Sequence, residues 1–270
     1  MPSEVSMMFG RVRLKTIALP VEHGGWGFLF EPILLGLCVA PSAAGFFLSV
    51  LTVASFLLRH PLKIFLAGED AVSESPRRRA ALQIAVVYFM IGVVGLVCGV
   101  WLGGYAPLVP FVVLAPLVVT YFFYDTQRQG RKLAAETAGP VGLGGVTTAI
   151  AVAGGWGWLD AVLLWIVLMG RTLPSIFYVR ARLRLEKGEV VSRWPTVSIH
   201  LGFGVALAVF SWKDLVPYLT VVAVLVLLLR AAHGLSSRRR SSKATRIGFL
   251  EIGYGIVYVV VAIVGYRVGW

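Results

Sequence analysis

The chain has 270 residues, of which 58% are hydrophobic and only 14% charged, and its formal net charge is +12. Its mean hydropathy of +0.83 lies outside the range of soluble domains and, with apolar runs long enough to cross a bilayer, indicates a multi-pass membrane protein. The two cysteines, Cys38 and Cys98, lie in apolar runs and lack the spacing of a disulfide framework, a haem motif or a zinc site.

Nine apolar runs are predicted to form transmembrane helices, which makes the chain an all-α bundle with a single transmembrane domain over residues 1–270. The longest polar stretches, about 67–79 and 232–245, are rich in Ser and Arg, and we interpret them as connections that can be mobile. The predicted spans are residues 24–40, 43–66, 80–101, 106–124, 137–155, 160–180, 195–211, 214–232 and 247–267.

The Lys and Arg residues fall in or beside every second connection, and only Arg171, Lys213 and Arg267 lie elsewhere. Such basic connections face the cytoplasm in multi-pass proteins. The N-terminus is therefore predicted inside and the C-terminus outside, across the inner (cytoplasmic) membrane, as an odd number of spans requires. This pattern assigns Arg230 to the last cytoplasmic connection. The distribution of basic residues accounts for the net positive charge through the orientation of the protein in the membrane and its attraction to anionic membrane lipids. Nucleic-acid binding is not needed to explain this charge.

The first predicted span begins with Glu22 and His23 and carries Glu31 about two turns inside. An ionisable residue within a span is a candidate functional residue, because its burial is costly. In one interpretation Glu31 is paired with a neighbouring cation in a tightly packed helix start. In the other, Glu31 lines a polar cavity with His23 at its mouth, and both are candidate general acids or bases.

The second predicted span ends near Arg59, His60 and Lys63. Arg59 and Lys63 are four residues apart and share a helix face, although Pro61 is expected to bend or end the helix there. Two cations on one face either extend to lipid headgroups or bind an anion directly. These three side chains are therefore candidate substrate-binding residues.

The basic connection after the fourth predicted span is bracketed by acidic residues. Tyr124 and Asp125 precede its three cations and are candidate substrate-binding residues. Glu136 follows the cations at the start of the next helix, where the helix dipole favours a carboxylate, so capping alone is a sufficient explanation of its position. Like Glu31 and His23, it is also a candidate general acid or base.

Arg171 is the most unusual residue of the chain, since it lies about eleven positions inside the sixth predicted span. Without a partner its burial is expected to cost roughly 2.5–3.5 kcal/mol or more. An ion pair with Glu31 is one interpretation. Helical spacing places Arg171, Tyr178 and Arg182 on one face, which can look into one cavity. The candidate substrate-binding residues of this helix are Arg171, Tyr178 and Arg180.

Two resemblances bear on function. The segment Leu19-Pro-Val-Glu-His-Gly-Gly-Trp-Gly-Phe and the motif Arg59-His-Pro-Leu-Lys resemble the YwiC-like family of bacterial membrane proteins. More distantly, nine predicted helices, Glu136-Thr-Ala-Gly after the basic connection, and Leu173-Pro-Ser-Ile-Phe-Tyr are similar to UbiA-type intramembrane prenyltransferases. The second resemblance implies a cytoplasm-facing cavity in which a polyprenyl diphosphate is joined to an acceptor.

The chain departs from the UbiA-type pattern where metal ligands are expected. That family has the motifs NDxxDxxxD and DxxxD, which hold Mg²⁺ through carboxylate oxygens. Here the corresponding regions, residues 59–63 and 178–184, are basic. A Mg²⁺ site is therefore not supported by the motifs, and the nearest acidic residues offer only weak substitutes: Glu69, Asp70, Glu74, Glu186 and Glu189.

Three functions stay open at this point. The first is a transferase or binding protein for an anionic isoprenoid, with fixed cations in place of metal. The second is a non-catalytic protein that binds a lipid or quinone or assists assembly. The third is a secondary transporter with Glu31 and Arg171 as an ion-coupled gate. The oligomeric state is left open. The leading hypothesis predicts one cavity shared by four side chains: Glu31, Arg59, Arg171 and Tyr178.

Overall fold

The computed structural model of the chain describes residues 14–20, 25–66, 76–127 and 129–269. This part of the chain contains helices and no strand. The helices are α1 (Lys15–Ala18), α2 (Gly25–Val39), α3 (Ala43–Leu66), α4 (Pro76–Gly103), α5 (Val109–Thr126), α6 (Leu133–Ala153), α7 (Trp158–Glu186), α8 (Trp194–Trp212), α9 (Tyr218–Gly234) and α10 (Ala244–Val268), with a short helical turn, Ala106–Leu108, before α5.

Within the described ranges, six segments are long and apolar enough to cross a membrane, namely α3, α4, α7, α8, α10 and α5 with its preceding turn. The helices α2 and α9 are apolar but shorter. The chain is therefore a multi-pass membrane protein with an all-α fold. The nine helices α2 to α10 overlap the nine predicted spans, while nine crossings and an inside N-terminus stay predictions.

Several helices extend beyond the predicted spans. The sixth span was expected to end at residue 180, but α7 continues to Glu186, so Arg180 lies on the helix. Likewise Tyr124 and Asp125 belong to the last turn of α5. Pro61 does not end α3, which continues to Leu66. A proline removes one backbone hydrogen bond, and the neighbouring turns carry the helix through.

Several described turns between helices follow local backbone chemistry. Gly104 after α4 and Gly155 after α6 have φ angles of +69° and +84°, which residues with a Cβ rarely adopt. Pro195 lies in the first turn of α8, where a backbone N–H has no hydrogen-bond partner within the helix, so the N–H that proline lacks is not needed.

The helix α7 is the most buried span, and α5 lies at the outside of the bundle. The helix α6 packs against α2, α3, α5 and α7, whereas α10 packs against α2, α7 and α9. Close approach depends on small residues: a Cβ on Gly95 of α4 would lie 2.7 Å from the backbone nitrogen of Leu51 on α3. This arrangement places the polar residues of α2, α7, α9 and α10 in one interior region.

Candidate functional site

Four charged side chains meet inside the bundle and form what we call the buried charge cluster: Glu31, Arg171, Arg230 and Glu251. Arg171 Nη2 lies 2.8 Å from Glu31 Oε1 and donates a second hydrogen bond, of 3.1 Å, to the backbone oxygen of Glu251. Arg230 Nη1 lies 2.6 Å from Glu251 Oε2. The cluster joins α7 to α2 and α10, and α9 to α10. It confirms the predicted pairing of Arg171 with Glu31.

The cluster is balanced in charge but not fully hydrogen-bonded. Its four residues are 3–9% exposed, and two Arg with two Glu sum to zero charge. Glu31 Oε2, Arg171 Nε and Arg230 Nε have no hydrogen-bond partner among the described residues. This region therefore combines strong ion pairs with two unused donors, Arg171 Nε and Arg230 Nε, and one unused acceptor, Glu31 Oε2. Buried polar atoms without a hydrogen-bond partner are energetically costly.

Arg230 was expected in a cytoplasmic connection, and that prediction is wrong. It lies on α9, four residues before the helix ends at Gly234, and is 7% exposed. Its guanidinium carbon lies 4.2 Å from the ring centre of Tyr178 and 5.3 Å from that of Tyr254. The sequence signal that was missed is Glu251, an acidic residue inside the last apolar run, which required a cationic partner.

Tyr178 and Arg171 therefore reach the same interior region, as their helical spacing predicted. Tyr178 stacks under Arg230, and its hydroxyl lies against Gly234, where a Cβ would overlap it. Ser175, one turn before Tyr178, lies 3.4 Å from Arg230 Nη2. The face of α7 from Arg171 to Tyr178 thus borders the charges of α9 and α10.

A second group of polar residues bridges α3 and α5 near the helix ends at Leu66 and Thr126. Arg59 Nη1 donates to the hydroxyl of Tyr121, and its guanidinium lies 5.1 Å from the Tyr121 ring centre. One turn further along both helices, Lys63 Nζ lies 3.0 Å from Asp125 Oδ2. We call these two contacts the α3–α5 bridge.

The ends of α6 and α7 continue this polar layer. Arg180 Nη1 lies 2.6 Å from Glu136 Oε2 and donates to the backbone oxygen of Arg131 at 2.8 Å. Glu136 lies in the first turn of α6 and binds this cation, while no side-chain cap is present at the helix start. A Cβ on Gly139, one turn along α6, would lie 2.8 Å from Tyr121, which places Arg180 and the bridge near one another.

Apolar residues lie below the bridge, toward the interior. Arg59 also lies 5.5 Å from the ring centre of Phe56, and Phe56 contacts Trp26 of α2 at 5.8 Å between ring centres. Phe111 of α5 packs against the same apolar cluster as Phe56. In the described part of the chain, α3 and α5 both pack on α6 but scarcely on each other. The bridge therefore spans the gap between them with side chains.

The remaining predicted site residues have separate positions. His60 Nε2 lies 3.1 Å from the backbone oxygen of Thr16 in α1, and Lys132 lies over the ring of Tyr124 at 5.5 Å. His23 lies outside the described residues. The structure places Arg59 against Phe56 and Tyr121, and Arg171 against Glu31 and Glu251, so the single cavity proposed for them stays a prediction.

A Mg²⁺ ion does not fit the positions that the UbiA-type resemblance indicates. Among the described residues, no group of three or more His, Cys, Asp and Glu side chains is arranged to hold a metal ion. The described polar groups there include the cations Arg59, Lys63 and Arg180, each held by a hydroxyl or carboxylate. Glu69, Asp70 and Glu74 lie outside the described residues.

Comparison with known proteins identifies a family for part of the chain. Residues 19–151, which include α2 to α5 and most of α6, match the family model described as YwiC-like protein. No characterised protein and no solved structure matches the chain. The family indicated by the motifs of the first two predicted spans is thereby confirmed: over residues 19–151, this chain is a YwiC-like protein.

Proposed function

We propose that this membrane protein binds an anionic isoprenoid lipid, such as a prenyl diphosphate, from the cytoplasmic face of the inner membrane. The observation that carries the proposal is Arg59, a cation held over the rings of Phe56 and Tyr121 where apolar interior gives way to polar helix ends. A headgroup at Arg59 would place its hydrocarbon tail along the apolar residues below.

The tail of such a ligand would lie between α3 and α5. Both helices rest on α6, and Phe56, Phe111 and Leu143 contribute apolar side chains to the surrounding cluster. Clefts with apolar walls and a few polar groups at one end are typical binding sites for amphipathic ligands. The α3–α5 bridge is then the polar end of the cleft.

The charges at the bridge can be exchanged for those of a ligand. The Lys63 side chain is 53% exposed and that of its partner Asp125 is 20% exposed. Exposed pairs of this kind contribute roughly 0–1 kcal/mol, so a phosphate can replace the carboxylate at small cost. Arg180, whose side chain is 38% exposed, supplies a further cation. Fixed cations here take the role that Mg²⁺ has in UbiA-type enzymes.

Transfer chemistry is an extension of this binding proposal. Glu136, beside Arg180, is the candidate acid or base. Glu31 is bound to Arg171 in the separate buried charge cluster. A covalently altered lipid in membranes that overproduce the protein would support transfer, whereas an unaltered bound lipid would support a non-catalytic binding or assembly role.

The test is mass spectrometry of lipids that co-purify with the protein. Wild type is expected to retain an isoprenoid phosphate, and Arg59→Gln to lose most of it while keeping the fold. Arg193→Gln is the matched control, because Arg193 is an exposed cation at the start of α8, away from the bridge. Equal isoprenoid content in wild type and Arg59→Gln would refute the proposal. Competition by added farnesyl diphosphate, absent for phosphatidylglycerol, would identify the headgroup class.

A further inference from the structure

The helices α3 and α4 form the most extensive helix contact in the described part of the chain. A Cβ on Gly95 would lie 2.7 Å from the backbone nitrogen of Leu51 and 2.9 Å from the backbone oxygen of Phe47. Gly92 and Gly99, which share this face of α4, also lie against α3. The two backbones therefore touch without large side chains between them that could rearrange, so α3 and α4 should move as one unit.

The short helix α1 rests on this pair of helices. His60 Nε2 of α3 donates to the backbone oxygen of Thr16 at 3.1 Å, and the Tyr88 hydroxyl of α4 donates to the backbone oxygen of Ala18 at 3.2 Å. Ile17, which lies between the two acceptor residues, is 0% exposed. In the described ranges, α1 contacts chiefly α3 and α4. We call these three helices, α1, α3 and α4, the arm.

The arm is packed tightly on the rest of the bundle at the end where α3 begins. A Cβ on Gly45, in the first turn of α3, would lie 2.9 Å from the Ile150 side chain of α6. A Cβ on Gly154, directly after α6, would lie 2.9 Å from the backbone oxygen of Ala40, in the connection between α2 and α3. The turn that follows α4 packs against α6 as well. Small residues bring the backbones together here and leave this end of the arm little room to move.

Toward the opposite end of α3, at Leu66, longer side chains make the contacts. Phe56 contacts Trp26 of α2, with 5.8 Å between ring centres. Beyond Phe56 lies the α3–α5 bridge, in which an arginine and a lysine of α3 reach across to α5. Among the described residues, α3 and α5 scarcely contact each other otherwise. Because an exposed ion pair such as Lys63 with Asp125 contributes little to stability, this contact can open at small cost.

We propose that the arm pivots as one body about the end of α3 at Ala43, and that the α3–α5 bridge holds it closed. Hinge movement combines a rigid unit, a fixed pivot and a contact at the far end that opens easily. The close packing of α3 on α4, the small residues near Ala43 and the bridge meet these three conditions in turn. Since α3 has 24 residues, it is about 36 Å long at 1.5 Å per residue, and a rotation of about 10° moves its far end by about 6 Å.

Opening of the arm separates α3 from α5 on the side of the bridge. The apolar side chains that α3, α5 and α6 contribute to one cluster, among them Phe56, Phe111 and Leu143, then become accessible from that side. The arm is thus a gate on the space between α3 and α5. A group that binds in this space only when the arm is open shifts the arm toward its open position. The movement depends on the packing alone and is expected whether or not the proposed lipid binds.

Distances between spin labels, measured by double electron–electron resonance on the full-length protein in detergent, test this movement. The labels are attached to introduced cysteines at exposed positions, in a background with Cys38→Ala and Cys98→Ala. One pair joins α3 to α5 at the bridge, a second joins the same helices at the pivot, and a third lies within the arm. The three pairs are Leu62→Cys with Thr126→Cys, Phe46→Cys with Val109→Cys, and Leu62→Cys with Leu82→Cys.

The double variant Arg59→Gln with Lys63→Gln removes both cations of the bridge. We expect it to lengthen the mean distance of the bridge pair by at least about 5 Å, and those of the other two pairs by less than about 2 Å. Arg184→Gln, which removes an exposed cation of α7 paired with Glu189, is the matched control and should change none of the three distances. An unchanged bridge distance in the double variant would overturn the proposal, and so would equal lengthening within the arm.

A second variant keeps the test decisive if the double variant does not fold. Asp125→Asn leaves both cations of the bridge in place and removes only the charge that Lys63 binds. It is expected to broaden the distance distribution of the bridge pair toward longer values, again without change at the pivot or within the arm. A distribution identical to that of wild type would overturn the pivoting arm.

Discussion

Arg171 Nη2 lies 2.8 Å from Glu31 Oε1, and this contact joins the middle of α7 to α2 across 140 positions of the sequence. Both side chains are almost fully buried, with 4% and 7% of their areas exposed. A buried pair of this kind is costly to break, because the remaining member is left as an uncompensated charge. The pair therefore constrains how α2 and α7 pack against each other.

Removal of both members of this pair should cost less than the sum of the two single removals. We expect Arg171→Met to lower the free energy of unfolding by about 3–5 kcal/mol. The double variant Arg171→Met with Glu31→Leu should lose less than the sum of the two single changes by at least about 1 kcal/mol. Unfolding in mixed detergent micelles, followed by circular dichroism, measures these values. Arg184→Met, in the exposed pair with Glu189, should change stability by less than about 1 kcal/mol. Additive single changes would contradict the pairing.

Gly255 should be intolerant of even one methyl group. The Cβ of Gly255→Ala overlaps Glu31 Oε1, so either the ion pair or α10 must shift, at an expected cost of about 1–3 kcal/mol. Gly253→Ala is the matched control on the same helix, since apart from the adjacent helix backbone no atom of the described residues lies within 4 Å of its Cβ. The control should be neutral or stabilising by up to about 1 kcal/mol, because alanine favours helix. Equal thermal unfolding temperatures for the two variants would contradict the packing described for α10.

The connection after α9 should become accessible when Arg182 is removed. This buried side chain donates to the backbone oxygens of Gly234 and Arg240, and it pairs with Glu186 at 2.8 Å. We expect Arg182→Ala to increase the rate of trypsin cleavage at residues 238–243 at least several-fold, since cleavage requires local opening. Arg184→Ala, which removes a cation bound to Glu189 alone among the described acids, should leave the rate unchanged. The connection is thus held by described contacts, although its composition is typical of a mobile segment.

The predicted orientation can be measured by thiol labelling. In a background with Cys38→Ala and Cys98→Ala, we expect Lys213→Cys to react with an impermeant maleimide in intact cells. Ser237→Cys should react only after permeabilisation, because the basic connections face the cytoplasm. The opposite pattern would reverse the orientation and, with it, the side on which the α3–α5 bridge lies.

The amino-acid sequence was sufficient to predict the class of protein and the positions of the nine long helices. Apolar runs of this length have no stable alternative to a helix in lipid, since every backbone polar group must be hydrogen-bonded within its own segment. The anomalous position of Arg171 also predicted a partner, and Glu31 was correctly named as that partner. These conclusions depend on local composition and on the cost of burying charge.

Only the tertiary structure decided which charges belong together. The sequence pattern assigned Arg230 to a connection between helices. It nevertheless lies inside the bundle, because Glu251, 21 positions away, compensates its charge there. In the same way, Lys63 binds Asp125, Arg180 binds Glu136 and Arg59 binds Tyr121. In each pair the two residues belong to different helices. Side-chain pairing between helices depends on their relative rotation and packing, and neither is encoded in the periodicity of a single helix. The interior charge cluster and the α3–α5 bridge are therefore products of the fold, whereas the membrane-spanning character is a property of the sequence.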